Sequence, residues 1–215
     1  MNELFGSQQL SQKEALVRDI VTVEWAMFDK VNGLGGRASC QEDPWTFYVM
    51  RCSQFLALPL AVLESYQQDL QRALREGRNL LTEKYAYMME YSDPVLFASS
   101  IREQLPSVSL RKQQLVDEIV QLLIKDERAF ALQYPNLHRK GRPLQGAAEG
   151  MVSVSIYALG ELKTYSEKTL EQYAQHLRKL DLEGGENISV TIHRMMVRMY
   201  GYRSLEEAEE KASED

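Results

Sequence analysis

Apolar residues recur every three or four positions along almost the whole chain, and no run alternates apolar with polar residues between hairpin signals. The pattern predicts an all-α fold, a single-domain bundle of eight or nine helices. Leu16, Ile20, Val23, Met27 and Val31 line one face of a first helix. Ser11 and Glu14 have capping-box spacing at its start, and Gly33, Gly35 and Gly36 end it.

Asp43-Pro44 and Asp93-Pro94 open two more helices, because aspartate accepts from free backbone N–H groups and proline at the first helical position gives up none that was bonded. Pro59 ends or kinks the second helix. A third covers Leu60 to Arg75 before Gly77, and a fourth Leu80 to Tyr91. A long helix from Leu110 to Leu132 stops at Pro135, after which "YPNLHRKGRPLQG" reads as an irregular basic loop. Helices over Ala148 to Thr164, Glu167 to Leu182 and Ile188 to Tyr200 follow. Ser204 and Glu207 repeat the capping-box spacing, so residues 204–215 read as a polar, partly frayed tail. No internal repeat or domain linker interrupts the pattern.

At 215 residues and 44% hydrophobic content, the chain can bury a full core. Its net charge of −6 opposes binding to a phosphate backbone, so no nucleic-acid partner is expected. The longest apolar runs, such as "FLALPLAVL", are too short to cross a bilayer, which argues against a membrane protein. Two cysteines make no disulfide framework and the first residues lack the charged and apolar regions of a signal peptide, which points to a reducing cytoplasm.

Candidate chemistry lies where polar residues break the helical pattern. Glu24 has Ile20, Val21, Met27 and Phe28 as its neighbours one turn away, so it is predicted to face inward, paired with a cation or holding a raised pKa. Arg51 stands among Phe47, Tyr48 and Phe55, with Gln54 beside it. A Glu24–Arg51 pair completed by Gln54 is the simplest solution; a purely structural buried ion pair is the other reading of the same residues. Lys84 lies between Leu80, Leu81, Tyr87 and Met88, while Glu83 and Glu90 share the opposite stripe. It is either an inward functional group or a lysine whose stem covers apolar surface. Glu161, among Tyr157, Ala158, Thr164 and Tyr165, reads as an ordinary hydrogen-bonded carboxylate.

The loop "NGLGGRASCQEDP" offers Arg37, Ser39 and Gln41 beside a helix start, a nest suited to a carboxylate or phosphate. Cys40 lacks a histidine base at any spacing that ties it to this loop, so it is not read as a nucleophile. No metal site is expected, since the Glu-x-x-His pairs of di-iron bundles do not occur; Glu24, Glu83, Glu90 and Glu161 would have to converge to hold a cation. No motif names a cofactor.

The chain resembles a family of uncharacterised bacterial proteins, a domain of unknown function. The resemblance rests on "EWAMF" at 24, "GGRASCQ" at 35, "TFYVMRCSQ" at 46, "GRNLLTEKYAYMME" at 77, "GELKTYS" at 160 and "YGYRSLEEAE" at 200. It departs at "VSVSIYALGEL", where a threonine-rich segment with an acidic side chain is expected. The hallmarks fall on Glu24, Arg37, Arg51, Gln54, Arg78, Glu83 and Lys84; Arg37, Arg51, Gln54, Arg78 and Glu83 are candidate ligand groups alongside Ser39 and Gln41, and Glu24 and Lys84 are the candidate catalytic groups. The resemblance also implies an association with nucleotidyltransferase-like domains, an analogy of context that fixes no activity.

These readings converge on a pocket between the first four helices for a small polar or anionic ligand, with acid-base chemistry by Glu24 and Lys84 and anion clamps at Arg37 and Arg51. The alternative is a noncatalytic helical adaptor, or accessory module for a partner protein, whose polar cluster only fixes its core.

Overall fold

A computed structural model describes residues 11–32, 36–37, 39–144, 147–148 and 151–214; the side chains of Ser39, Cys40, Ala147, Ala148 and Met151 lie outside that description. Eleven α-helices occur among the described residues: α1 (Gln12–Phe28), α2 (Pro44–Leu56), α3 (Leu60–Arg75), α4 (Leu80–Ser92), α5 (Pro94–Leu96), α6 (Leu110–Gln133), α7 (Pro135–Arg139), α8 (Val154–Leu162), α9 (Glu167–Leu182), α10 (Ile188–Met199) and α11 (Leu205–Glu214). The all-α expectation holds, but the expected count of eight or nine helices is too low.

Local chemistry explains the difference. Asp93 caps α5 through the Leu96 N–H as expected, but after three residues the backbone passes into a π turn over Phe97–Ile101. The basic loop contains α7, which Pro135 opens. The helix expected from Ala148 begins instead at Val154, behind the cap Ser153. Ahead of it a two-residue antiparallel ladder pairs Ala147 with Val152 and Ala148 with Met151. Pro143 and Leu144 offer their carbonyls to the Val154 and Ser155 N–H groups, so a loop covers the start of α8.

Elsewhere the caps act as their residue types dictate. Ser11 and Glu14 form the full capping box of α1, and Asp43 accepts from the Thr46 N–H at the start of α2. α3 stops where Gly77 takes a φ of 69°, a left-handed turn open to glycine at no steric cost. α1 ends at Phe28 rather than Val31, and its buried stripe is Val17, Ile20, Val21, Glu24, Met27 and Phe28.

The main core gathers α1 to α4, α6, α8 and α9 around side chains such as Val21, Phe55, Leu63, Leu70, Ile119 and Leu170. A smaller cluster joins Phe130 and Tyr134 of the α6 end to Val197, Leu205 and Ala208. Within the terminal segment, α11 buries Leu205, Ala208 and Ala212. Among the described residues no helix is long and apolar enough to cross a membrane.

One close approach sets the site. A Cβ on Gly160 would stand 2.4 Å from Met88 Cγ and 2.7 Å from the Lys84 carbonyl oxygen. Only glycine lets α8 lie this near α4, and the next residue along α8 is Glu161.

Candidate functional site

Glu24, on the inner face of α1, is fully buried, and α2 delivers Arg51 to it. Arg51 Nε and Nη2 donate to the two Glu24 oxygens at 2.7 Å each, the parallel fork that a guanidinium and a carboxylate share. Arg51 Nη1 and Nη2 also donate to Glu161 at 2.9 and 3.0 Å, and Nη1 to Gln54 Oε1 at 2.6 Å. These bonds use all five donors of the guanidinium. The cation also lies 4.6 Å above the Phe55 ring.

Lys84 reaches the same centre from α4. Its Nζ donates to Glu161 Oε2 at 2.6 Å and lies 3.5 Å from the centre of the Tyr157 ring. Tyr66 of α3 donates to Glu24 at 2.6 Å, and Tyr165 to Glu161 at 2.9 Å. Two carboxylates and two cations therefore form a neutral quartet inside a shell of aromatic rings. Side-chain exposure is 1% for Glu24, 4% for Arg51 and 2% for Lys84, against 16% for Glu161, so Glu161 alone borders solvent.

Burial by itself would raise the Glu161 pKa, but Arg51 and Lys84 outweigh it and hold the carboxyl well below the usual carboxylate range. Burial works against the Arg51 charge as well, and Glu161 with Glu24 overcomes it, keeping the guanidinium firmly protonated. Desolvation drives the Tyr66 and Tyr165 phenols far above their ordinary range, with the neighbouring carboxylates adding to it, so both remain hydrogen donors. Cys52 on α2 is buried and its thiol is pushed up to about 11, mainly by desolvation.

Four of the residues singled out in the sequence thus meet: Glu24, Arg51, Gln54 and Lys84. The others do not join them. Arg37 donates to the Asp29 carbonyl at 2.8 Å, the Asp29 carboxylate at 2.8 Å and Glu42 at 3.3 Å. Gln41 is buried and its Nε2 donates to the Phe28 and Val31 carbonyls at 2.8 and 2.9 Å, while Asn79 donates to the Met27 carbonyl at 2.8 Å. The loop expected to be an anion nest is, through Arg37 and Gln41, the cap that satisfies carbonyls at the end of α1. Arg78 forks onto Glu83 at 2.7 Å twice and reaches Glu76 at 3.0 Å, a separate ion-pair group at the start of α4.

The four glutamates considered for a cation do not converge either. Glu24 and Glu161 share Arg51, Glu83 pairs with Arg78, and Glu90 pairs with Lys163. Among the described residues no group of three or more His, Cys, Asp or Glu side chains could hold a metal ion. A cleft of about 230 Å³ lies elsewhere, lined by Asp126, Leu177 and the Gly184–Asn187 turn.

Sequence reasoning missed the central place of Glu161 and the two tyrosines. Glu161 and Tyr165 stand four residues apart in "GELKTYS", the spacing that lets one helical turn join them, but Tyr66 lies on an apolar stripe that reads as plain core. No curated protein and no solved structure matches the chain. The family model described as "Protein of unknown function (DUF4125)" matches residues 14–210, and the chain belongs to that family.

Proposed function

We propose that the chain is a noncatalytic helical accessory module that engages a partner protein through its outer helical faces, while the charged quartet fixes its core. The observation that carries this reading is the full occupation of Arg51 by acceptors of this chain. An anion entering there has to displace two carboxylates and an amide from a cation that is 3% exposed. A catalytic acid or base needs hydrogen-bond reach of its substrate, about 2.6–3.2 Å. Glu24 is walled off from any such approach.

Support for the partner comes from the junction of α2 with the end of α10. Thr46 and Tyr200 hydroxyls meet at 3.3 Å there, and Ser53 touches the Met199 sulfur at 3.8 Å. Trp45, Met50, Tyr200 and Tyr202 are all exposed at this junction or its flanks. Aromatic and methionine side chains are the ones enriched where proteins dock. The partner assigned is a nucleotidyltransferase-like domain, the class that the family resemblance associates with this chain.

Calorimetric titration of the full chain with such a domain encoded beside it tests the reading. Binding is expected, with Trp45→Ala and Tyr200→Ala each weakening it about tenfold or more, the size of an aromatic hot spot. A double Glu24→Leu, Arg51→Met variant that folds is expected to retain it. Absence of binding by the wild type, or binding indifferent to both surface substitutions, overturns the proposal.

A further inference from the structure

Helices α6 and α9 wall the cleft at Asp126, and the turn from Gly184 to Asn187 forms another side of it. Its apolar lining is Leu122, Leu177 and Leu180, and three carboxylates share it: Asp126, Asp181 and Glu186. At about 230 Å³ it falls short of the roughly 300–1,000 Å³ typical for drug-sized ligands, and it suits one end of a slim molecule. Two of the carboxylates are already matched. Lys125 pairs with Asp181, and Arg194 forks onto Glu186, whose Oε2 also accepts from the Thr191 hydroxyl at 2.8 Å.

Asp126 is different. Its Oδ2 accepts from the Ile188 N–H at 3.1 Å, but among the described residues no cation pairs with it and no hydrogen bond reaches Oδ1. Burial opposes its charge, and the Ile188 bond and Lys125 only partly offset that, so the carboxyl pKa is raised. The C-terminal end of α9, a sixteen-residue helix, borders the cleft at Leu180 and Asp181, and the negative end of its dipole favours a cation as well. One uncommitted oxygen selects the kind of cation. A guanidinium engages a carboxylate best through two parallel bonds, and here Oδ2 is committed to the backbone. A compact ammonium needs a single acceptor and leaves the three leucines to cover its stem.

We propose that the cleft between α6 and α9 binds the ammonium end of an aliphatic amine, with Asp126 Oδ1 as its acceptor and Leu122, Leu177 and Leu180 around its carbon chain. The site stands at the start of α10, about 18 Å along that twelve-residue helix from Tyr200, so it is separate from the docking surface at the α2–α10 junction.

n-Butylamine hydrochloride, titrated into the full chain at neutral pH and constant ionic strength in sodium chloride, provides the test. Tetramethylammonium, a cation of equal charge with no N–H to donate, is the comparison. The readouts are the backbone amide resonances of Ile188, which bonds Asp126, and of Gly185, in the turn beside the cleft. Butylamine should shift both saturably, and tetramethylammonium should leave both in place. Asp126→Asn keeps an oxygen for the Ile188 N–H and should fold, but should lower the affinity for butylamine tenfold or more. Nα-acetyl-lysine methylamide separates two sources of the same group. Binding at least as tight as that of butylamine assigns a lysine side chain of a partner, and weaker or no binding assigns a free amine. No saturable shift with butylamine, an equal response to tetramethylammonium, or unchanged butylamine binding in Asp126→Asn overturns the site. The comparison of the two cations on the wild type decides alone if the variant does not fold.

Discussion

Arg51 is the residue on which the interior depends, and its worth follows from counting charge rather than bonds. Removing Arg51 alone leaves Glu24 and Glu161 facing a single lysine, and one buried carboxylate then has no counter-ion. Breaking a buried pair in this way costs about 3–5 kcal/mol. Removing Glu24 with Arg51, as Leu and Met, leaves Lys84 with Glu161, again neutral, so the double variant should lose far less than the sum of the singles. Urea unfolding of the wild type, both singles and the double measures this coupling, and additive losses would sink it. Cys52 provides a second check at this scale. With 1% exposure and a thiol pushed up to about 11, it should resist iodoacetamide at neutral pH until the protein is unfolded, as followed by mass spectrometry of its peptide. Rapid labelling of the native protein would mean that α2 is not packed as described.

Helices α4 and α8 show how an element can depend on one missing side chain. Substituting Ala for Gly160 would gain roughly 1 kcal/mol in helix propensity. Against that stands a Cβ 2.7 Å from the Lys84 carbonyl, which belongs to the α4 backbone and cannot rotate away. Overpacking of this kind typically costs about 1–3 kcal/mol, and here it also pulls Glu161 off Lys84. Gly160→Ala should therefore be net destabilising in chemical denaturation, and a Met88→Ala change should relieve only the side-chain part of the clash. Wild-type stability in Gly160→Ala would disprove the close approach. The ends of α2 and α3 were legible because they are local: Asp43, Pro59 and Gly77 each act within one turn of themselves. The short α7 and the ladder ahead of α8 were not. Five residues give no periodicity to read, and a two-residue pairing depends on which strand comes alongside.

Across the whole molecule, the quartet takes its four charges from helices that begin at residues 12, 44, 80 and 154, so no window of sequence contains it. Apolar neighbours revealed that Glu24, Arg51 and Lys84 turn inward, a property of each helix by itself. Which carboxylate completes the set was hidden, because Glu161 has mixed neighbours and owes its position to Gly160. The same long-range closure gives the protein an acid-sensitive core. In the unfolded chain Glu161 protonates near the usual glutamate pKa of about 4.3, whereas in the folded chain Arg51 and Lys84 hold it well below that. As pH falls through about 4 the unfolded state therefore takes up a proton that the native state refuses, and stability contributed by Glu161 at higher pH is progressively lost toward the folded pKa. Urea midpoints between pH 6 and 3 should fall for the wild type. Glu161→Gln should start lower, because two buried cations then face only Glu24, but its decline with acid should be shallower. Parallel pH curves for the two proteins would show that the carboxylate of Glu161 is not the one the native fold keeps ionised.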